Sequence, residues 1–204
     1  MKNAPTAKLS RLLCRPILAA CLLLGGWMVL AAAPKSAGEY ELKAVFVYNF
    51  TKFVTWPAEA EDATNSPFVI GIVGEDPFGT TLDTAVRGES VRHHPIVVQR
   101  FHSDQDIAPC NILFIARSEK DRLKAVLQKV RSQPVLTVAD TAGAAEQGVM
   151  INLSVVQNSA KMEINVKMEI NESAVKSGGL KVSAKLLNLA KMVKTERDKT
   201  PSKP

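Results

Sequence analysis

One cysteine and three histidines are the nucleophilic or metal-ligating side chains to weigh in the body of this chain. Cys110 follows Ile107-Ala108-Pro109 and precedes the apolar run Ile112-Leu113-Phe114-Ile115. A thiol there is expected to be buried and inert at the start of a strand. Cys–His nucleophilic chemistry would require it to be exposed beside an activating base. His93-His94 stand next to Pro95 in an expected turn, and His102 lies in the loop beyond. A metal site needs carboxylate or thiolate partners at a defined spacing, and none accompanies these histidines. No nucleophile, base and orienting group can be assembled from the sequence, so the chain is read as non-enzymatic, with no cofactor and no metal.

Two further groupings bear on binding. Gly74-Glu75-Asp76-Pro77-Phe78-Gly79 follows an apolar run, and Asp140 ends another. In an open α/β sheet, ligands sit beyond the carboxyl ends of the strands. Gly74, Glu75, Asp76 and Asp140 are therefore a candidate ligand rim. Turn and cap chemistry accounts for the same residue types, with Asp76 as N-cap and Pro77 at the first helical position. Arg117, Lys120, Lys124 and Arg131 recur at helical spacing. They form a candidate surface for an acidic partner, or a solvated helix face.

The elements that would position these groups follow from periodicity. Glu39 to Trp56 reads as a helix, with Leu42, Val45, Phe46, Asn49, Phe50 and Phe53 on one face. Pro57 marks its end. Asn49 is the polar exception on that face. Trp56 suits either a core or an interface anchor. Phe68 to Val73 reads as a strand buried on both faces, typical of a parallel sheet. An amphipathic segment through Leu82 and Val86 follows, then strands at Pro95–Phe101 and Asn111–Ala116. Ser118 is expected to cap a helix whose buried stripe is Leu123, Val126, Leu127 and Val130. The next strand is Val135–Ala139. This alternation predicts one α/β domain, a mostly parallel central sheet flanked by helices.

After Gly148 the pattern changes. Val149–Val156 and the segment after Gln157-Asn158-Ser159-Ala160 predict a C-terminal antiparallel hairpin. Its second strand is a repeat: Lys161-Met162-Glu163-Ile164-Asn165, then Val166, then Lys167-Met168-Glu169-Ile170-Asn171. Met162, Ile164, Val166, Met168 and Ile170 alternate with polar residues, giving one apolar face. A repeat of six is even, so both copies keep the same face inward. A final helix starts near Ser183, with Leu186, Leu187, Ala190 and Val193 inward.

The ends of the chain carry most of its net charge of +6. Lys2, Lys8, Arg11 and Arg15, the apolar run Ile17–Ala33 and the small residues Ala31-Ala32-Ala33 read as a secretory signal over 1–33. Cleavage is expected after Ala31 or Ala32. An uncleaved anchor, or lipidation at Cys21 after Leu18-Ala19-Ala20, is the alternative. Residues 195–204 read as a disordered basic tail. Between these ends, residues 34–190 hold 17 basic and 18 acidic side chains. A nearly neutral body with few aromatics argues against nucleic acid as a partner. With Cys14 and Cys21 in the leader, Cys110 has no intramolecular disulfide partner.

Five motifs in order resemble one family of exported bacterial proteins. Lys43-Ala44-Val45-Phe46-Val47-Tyr48-Asn49-Phe50 with Phe53-Val54-Thr55-Trp56-Pro57 is similar to the opening motif of the YfiR family, also called the DUF4154 domain. Gly71–Gly79 resembles the second motif and Cys110–Ile115 the third. Val135–Asp140 with Gly148–Leu153 resembles the fourth, and 161–190 the fifth. The likeness spans about Glu41 to Val193, and the domain is set at 39–194. The family pattern has one KMEIN-like unit where this chain has two, and some relatives carry disulfides that this chain cannot form. The resemblance implies a periplasmic regulator that binds the periplasmic part of an inner-membrane signalling protein. In the best-known relative that target is a diguanylate cyclase, held inactive, and an outer-membrane partner, here an expected lipoprotein, sequesters the inhibitor. Cyclic di-GMP and biofilm growth are the output. The alternative is a periplasmic small-molecule sensor subunit of another membrane signalling or transport system. A homodimer is also open.

Overall fold

The computed structural model describes residues 37–57, 66–158 and 163–195. The expected signal segment and most of the expected tail lie outside these residues. Helix α1 (Ala37–Phe53) leads into a short strand β1 (Val54–Thr55). Then come β2 (Phe68–Val73), α2 (Thr81–Val86), β3 (Ser90–Val91), β4 (His94–Phe101), β5 (Ile112–Ile115), α3 (Leu123–Val130), β6 (Leu136–Ala139) and β7 (Ile151–Asn158). The chain closes with β8 (Glu163–Asn171), α4 (Glu172–Ser177), β9 (Lys181–Val182), α5 (Ala184–Asn188) and β10 (Lys191–Val193).

Eight strands form one sheet in the order β10-β8-β7-β6-β5-β2-β4-β3. The run β4-β2-β5-β6-β7 is parallel throughout, whereas β7–β8 and β3–β4 are antiparallel. β1 and β9 make a separate antiparallel pair, Val54 opposite Val182. The fold is thus the expected α/β domain with a mostly parallel sheet and a C-terminal hairpin.

Strand alternation splits the core into two layers. Ile112 and Phe114 of β5, with Ile70 and Ile72 of β2, pack under Ala44, Val47 and Phe50 of α1 and Leu82 and Val86 of α2. Leu113 and Ile115 face the other way, against Leu123, Val126 and Val130 of α3. Every residue of β2, β5 and β6 is buried, as central strands covered on both faces must be.

Four expectations need correction. Helix α1 is rolled about its axis: Lys43, Ala44, Val47, Phe50 and Thr51 are buried, while Val45 is 49% exposed. Residues 44–47 are all apolar, so periodicity alone does not choose the face; Lys43 finds distant partners that do. Ser118 caps no helix. Residues Arg117–Arg122 form a 3-10 turn, and the Ser118 hydroxyl instead accepts from the Glu75 N–H at 2.9 Å. Asp76 is not an N-cap, because α2 starts at Thr81; its Oδ1 accepts from the Phe78 N–H at 2.8 Å within the loop. The last helix is short. Ser183 does cap it, accepting from the Leu186 N–H, but Lys191–Val193 leaves as strand β10, parallel to β8.

The C-terminal edge is held by one buried amide. Asn171 ends β8, and its Oδ1 accepts from the Ala174 N–H at 3.0 Å, capping α4. Its Nδ2 donates to the Ala145 carbonyl at 2.7 Å and to the Thr195 hydroxyl at 2.8 Å. One side chain therefore ties β8, α4, the loop after β6 and the first residue of the expected tail.

Candidate functional site

At the carboxyl end of the sheet, the first turns of α1 close over the rim through buried charges. Lys43 and Asp140 have no exposed side-chain surface, and Lys43 Nζ lies 2.8 Å from Asp140 Oδ2. Tyr40 donates its hydroxyl to the same oxygen at 2.8 Å. Arg117, entering from the turn after β5, places Nε 3.2 Å from Asp140 Oδ2 and Nη2 2.8 Å from Glu39 Oε1. Lys43 also pairs with Glu39 one helical turn away. The four charges cancel. Burying an ion pair is offset only where geometry and extra hydrogen bonds are good; here Asp140 Oδ2 accepts from Lys43 and Tyr40, and the Arg117 Nε–H donates to the Asp140 main-chain carbonyl at 3.1 Å. Asp140 Oδ1 is buried without a donor among the described residues.

Local sequence explains the placement. Asp140 directly follows β6 and Ala116-Arg117 follows β5, so adjacent parallel strands deliver both to one rim. Glu39, Tyr40 and Lys43 share a helix face at i, i+1 and i+4. Aromatic packing locks the helix over the loop after β2: Tyr40 meets Phe78 edge-on at 5.5 Å, and Phe78 meets Phe114 at 4.7 Å. Burial pushes the Glu39 carboxyl up, but the Lys43 hydrogen bond and charge, with Arg117, outweigh it and hold it below its ordinary value of 4.5. Burial, then the bond to Asp140, pushes the Tyr40 phenol well above its usual range. At neutral pH, then, neither group is poised to exchange a proton.

The candidate rim residues are engaged internally. Gly74 takes φ +91°, and a Cβ there would come 2.4 Å from Ser118 Oγ and 2.8 Å from Glu119 Cγ. That is the switch point of the sheet, where the chain leaves β2 toward β4 on one side and β5 lies on the other. In this fold it is the expected crevice, but Ser118 and Glu119 fill it. Glu75 donates its N–H to Ser118. Asp76 Oδ2 accepts from Arg100 Nε at 2.7 Å. Of the four, Asp140 alone joins the buried cluster. Of the candidate partner surface, Arg117 joins it as well, while Lys120, Lys124 and Arg131 remain exposed. Glu39, Tyr40 and Lys43 do not stand out as site residues in the sequence; the i, i+4 spacing of Glu39 and Lys43 is the one signal it offers.

The remaining chemistry-bearing residues are apart. Trp56 is core, donating Nε1–H to the Asn111 carbonyl at 3.1 Å and packing edge-on against Phe68. Arg92 and His93 form the tight β3–β4 turn with φ +47° and +72°. His94 Nδ1 lies 2.7 Å from the Ser66 carbonyl. His102 is at the other end of β4. A cavity of about 310 Å³ opens at the amino end of the sheet, lined among others by Lys52, Trp56, Arg92 and His94. Among the described residues no group of three or more His, Cys, Asp or Glu side chains is placed to hold a metal ion. Cys110 is half-buried, and burial pushes its thiol up to about 12. The thiolate is the reactive form, so a maleimide at pH 7.5 should label native Cys110 about a hundredfold more slowly than the urea-unfolded chain. Equal rates would show an accessible, activated thiol.

The domain is thus a three-layer α/β fold whose charged cluster is neutral and closed. The chain belongs to the YfiR/HmsC-like family (DUF4154), whose sequence profile matches residues 40–191. That family is periplasmic, regulatory rather than catalytic, and concerned in general with cyclic di-GMP signalling. Its members generally engage a periplasmic domain of an inner-membrane protein. No curated protein matches the chain. Among solved structures, a conserved domain protein from Vibrio cholerae O1 biovar El Tor is similar in fold, at 10% identity and TM-score 0.50 over 75% of this chain and 59% of that one. An ABC domain in complex with L-Trp from Streptococcus pneumoniae has 12% identity and TM-score 0.46 over 62% and 55%. CD0873, a substrate-binding protein with adhesive properties from Clostridium difficile, has 11% identity and TM-score 0.43 over 63% and 55%. The chain spans less than two thirds of the length of each.

Proposed function

We propose that this protein acts in the periplasm without catalysis of its own, by binding the periplasmic domain of an inner-membrane diguanylate cyclase and holding that enzyme inactive. Membership of the YfiR/HmsC-like family over 40–191 carries the reading. The mechanism is a population shift: the regulator binds the inactive form of its target more tightly, and its removal by an outer-membrane lipoprotein releases the enzyme. The exposed cations Lys120, Lys124 and Arg131 beside Arg117 are the proposed contact with an acidic patch on the target.

A tagged full chain, recovered from its own crosslinked envelope and analysed by mass spectrometry, tests this. Co-recovery of an inner-membrane protein with a cytoplasmic cyclase domain is the expected result. Reversing Lys120, Lys124 and Arg131 to Glu should abolish that recovery while leaving thermal stability unchanged, because none of the three has a partner within the described chain. Recovery of a sensor kinase or transporter instead would overturn the cyclase assignment. A second reading, a small-molecule sensor, rests on the cavity at the amino end of the sheet. Its described lining includes Lys52, Arg92 and His94 but no carboxylate, which suits an anionic ligand.

A further inference from the structure

Apolar side chains stand uncovered at one end of the sheet. β10 is the first strand in the sheet order, so among the described residues no strand lies beyond it on that side. Leu189 is 75% exposed and Met192 is 45% exposed. Two of the four exposed large apolar side chains among the described residues thus stand three positions apart. Local structure turns both outward. Leu186 is buried, and on a continuing helix Leu189 would follow it inward at i+3. Helix α5 stops at Asn188 instead, and Leu189 leaves the core. Side chains alternate along β10, so the burial of Val193 directs Met192 the other way.

The charge around this pair has one sign. From Lys181 to Thr195 the chain holds four lysines, Lys181, Lys185, Lys191 and Lys194, and no acid. All four are exposed. Lys191 pairs with Glu169 at 3.3 Å, while Lys181, Lys185 and Lys194 pair with no acid among the described residues. Lysines on an edge strand ordinarily keep it from pairing with other chains, but the exposed Leu189 and Met192 work against that end. Protein–protein contacts favour Arg and aromatic residues and are depleted in Lys; the stretch 181–195 has no Arg and no aromatic residue. An anionic lipid surface suits both features together. Apolar side chains enter the boundary between headgroups and acyl chains, and lysine stems lie along the apolar layer while their ammonium groups reach the phosphates.

We propose that this edge of the domain docks on an anionic phospholipid surface. Leu189 and Met192 enter the headgroup layer, and Lys181, Lys185 and Lys194 meet lipid phosphates. The contact holds the domain by one end of its sheet and concentrates it at a bilayer. It does not depend on the identity of the regulatory target.

Cosedimentation tests this, with the protein expressed from its full coding sequence and vesicles of phosphatidylglycerol and phosphatidylethanolamine in equal amounts. Binding is expected at about 0.05 M salt, with a fall of about tenfold or more at about 0.5 M as the charges are screened. Vesicles of phosphatidylcholine alone should bind far less. Lys185→Gln/Lys194→Gln should weaken binding about 25-fold, each lysine at an anionic surface contributing about fivefold. Leu189→Ser/Met192→Ser should weaken it about tenfold. All four positions are exposed, so thermal unfolding of both double variants should match the parent. Leu189→Trp should gain fluorescence over the parent that brominated lipid quenches. Ala125→Trp, exposed on α3, is the control: α3 packs on β5, four strand spacings or about 20 Å from β10. A protein that does not bind the anionic vesicles overturns the proposal and leaves the patch to a protein partner. Equal binding to phosphatidylcholine also overturns it, as does binding that either double variant leaves unchanged. Quenching of Leu189→Trp no greater than that of Ala125→Trp would place the contact elsewhere and overturn it too.

Discussion

Lys43→Met is expected to destabilise the domain by about 3–5 kcal/mol, because it strands the Asp140 carboxylate in the interior with one cation fewer. For a domain of this size that corresponds to a fall in Tm of about 10 °C. The companion variant Lys43→Met/Asp140→Leu removes both buried charges and should recover more than half of the loss, as replacing a whole buried pair by apolar groups often does. Thermal denaturation followed by circular dichroism measures both. A Lys43→Met protein as stable as the parent would show that the cluster has no role in holding α1. The same cluster gives a pH dependence. The Glu39 carboxyl is held below its ordinary value of 4.5, so its stabilising contribution is complete above that value and drains away as pH falls toward the depressed one. Glu39→Gln should therefore be less stable than the parent at pH 7, and the gap should narrow below about pH 4.5.

The second large effect is expected at Gly74. Its φ of +91° already disfavours any side chain, and a Cβ would press on Ser118 Oγ at 2.4 Å and Glu119 Cγ at 2.8 Å. The backbone cost of about 1–2 kcal/mol adds to an overpacking cost of about 1–3 kcal/mol, so Gly74→Ala should lose about 3 kcal/mol. Gly79 separates the two contributions: it has φ +55° with nothing within 4 Å of a built Cβ. Gly79→Ala should show only the backbone part, about 1 kcal/mol. Equal losses in urea titrations would mean that Ser118 and Glu119 move aside freely and that the crevice at the sheet's switch point can open.

The strands were the most legible part of the fold. β2, β5 and β6 are short apolar runs because both their faces are covered, and β8 alternates because one of its faces is. The roll of α1 was not legible. Apolar residues line most of that helix, so no single face stands out, and what buries Lys43 is a carboxylate 97 positions away. Asp140 stands out in the sequence for its place after a strand and Arg117 for its place in a basic stripe. Nothing local shows that they share a hydrogen-bonded cluster, since only the sheet order brings them together. Ser118 looks like a helix cap in sequence, but the positive φ of Gly74 turns the neighbouring loop so that the Glu75 N–H reaches its hydroxyl first. β10 is not legible in the sequence, because three residues carry too little pattern to separate a strand from a helix end.

Asn171 has a consequence for how this chain finds its register. Two identical pentapeptides, six residues apart, offer β7 two pairings that present the same side chains to the same faces. Alternation and hydrophobicity do not distinguish them during folding. What distinguishes them is the sequence that follows the asparagine at the end of each copy. Asn171 is followed by Glu172-Ser173-Ala174, which can turn back as a capped helix, whereas Asn165 is followed by Val166-Lys167 and more strand. A chain that seated Asn165 at the buried position would leave the Ala145 carbonyl and the Thr195 hydroxyl facing a residue with no helix to cap. The sequence after the buried asparagine, not the amide itself, therefore favours the register that seats the second copy.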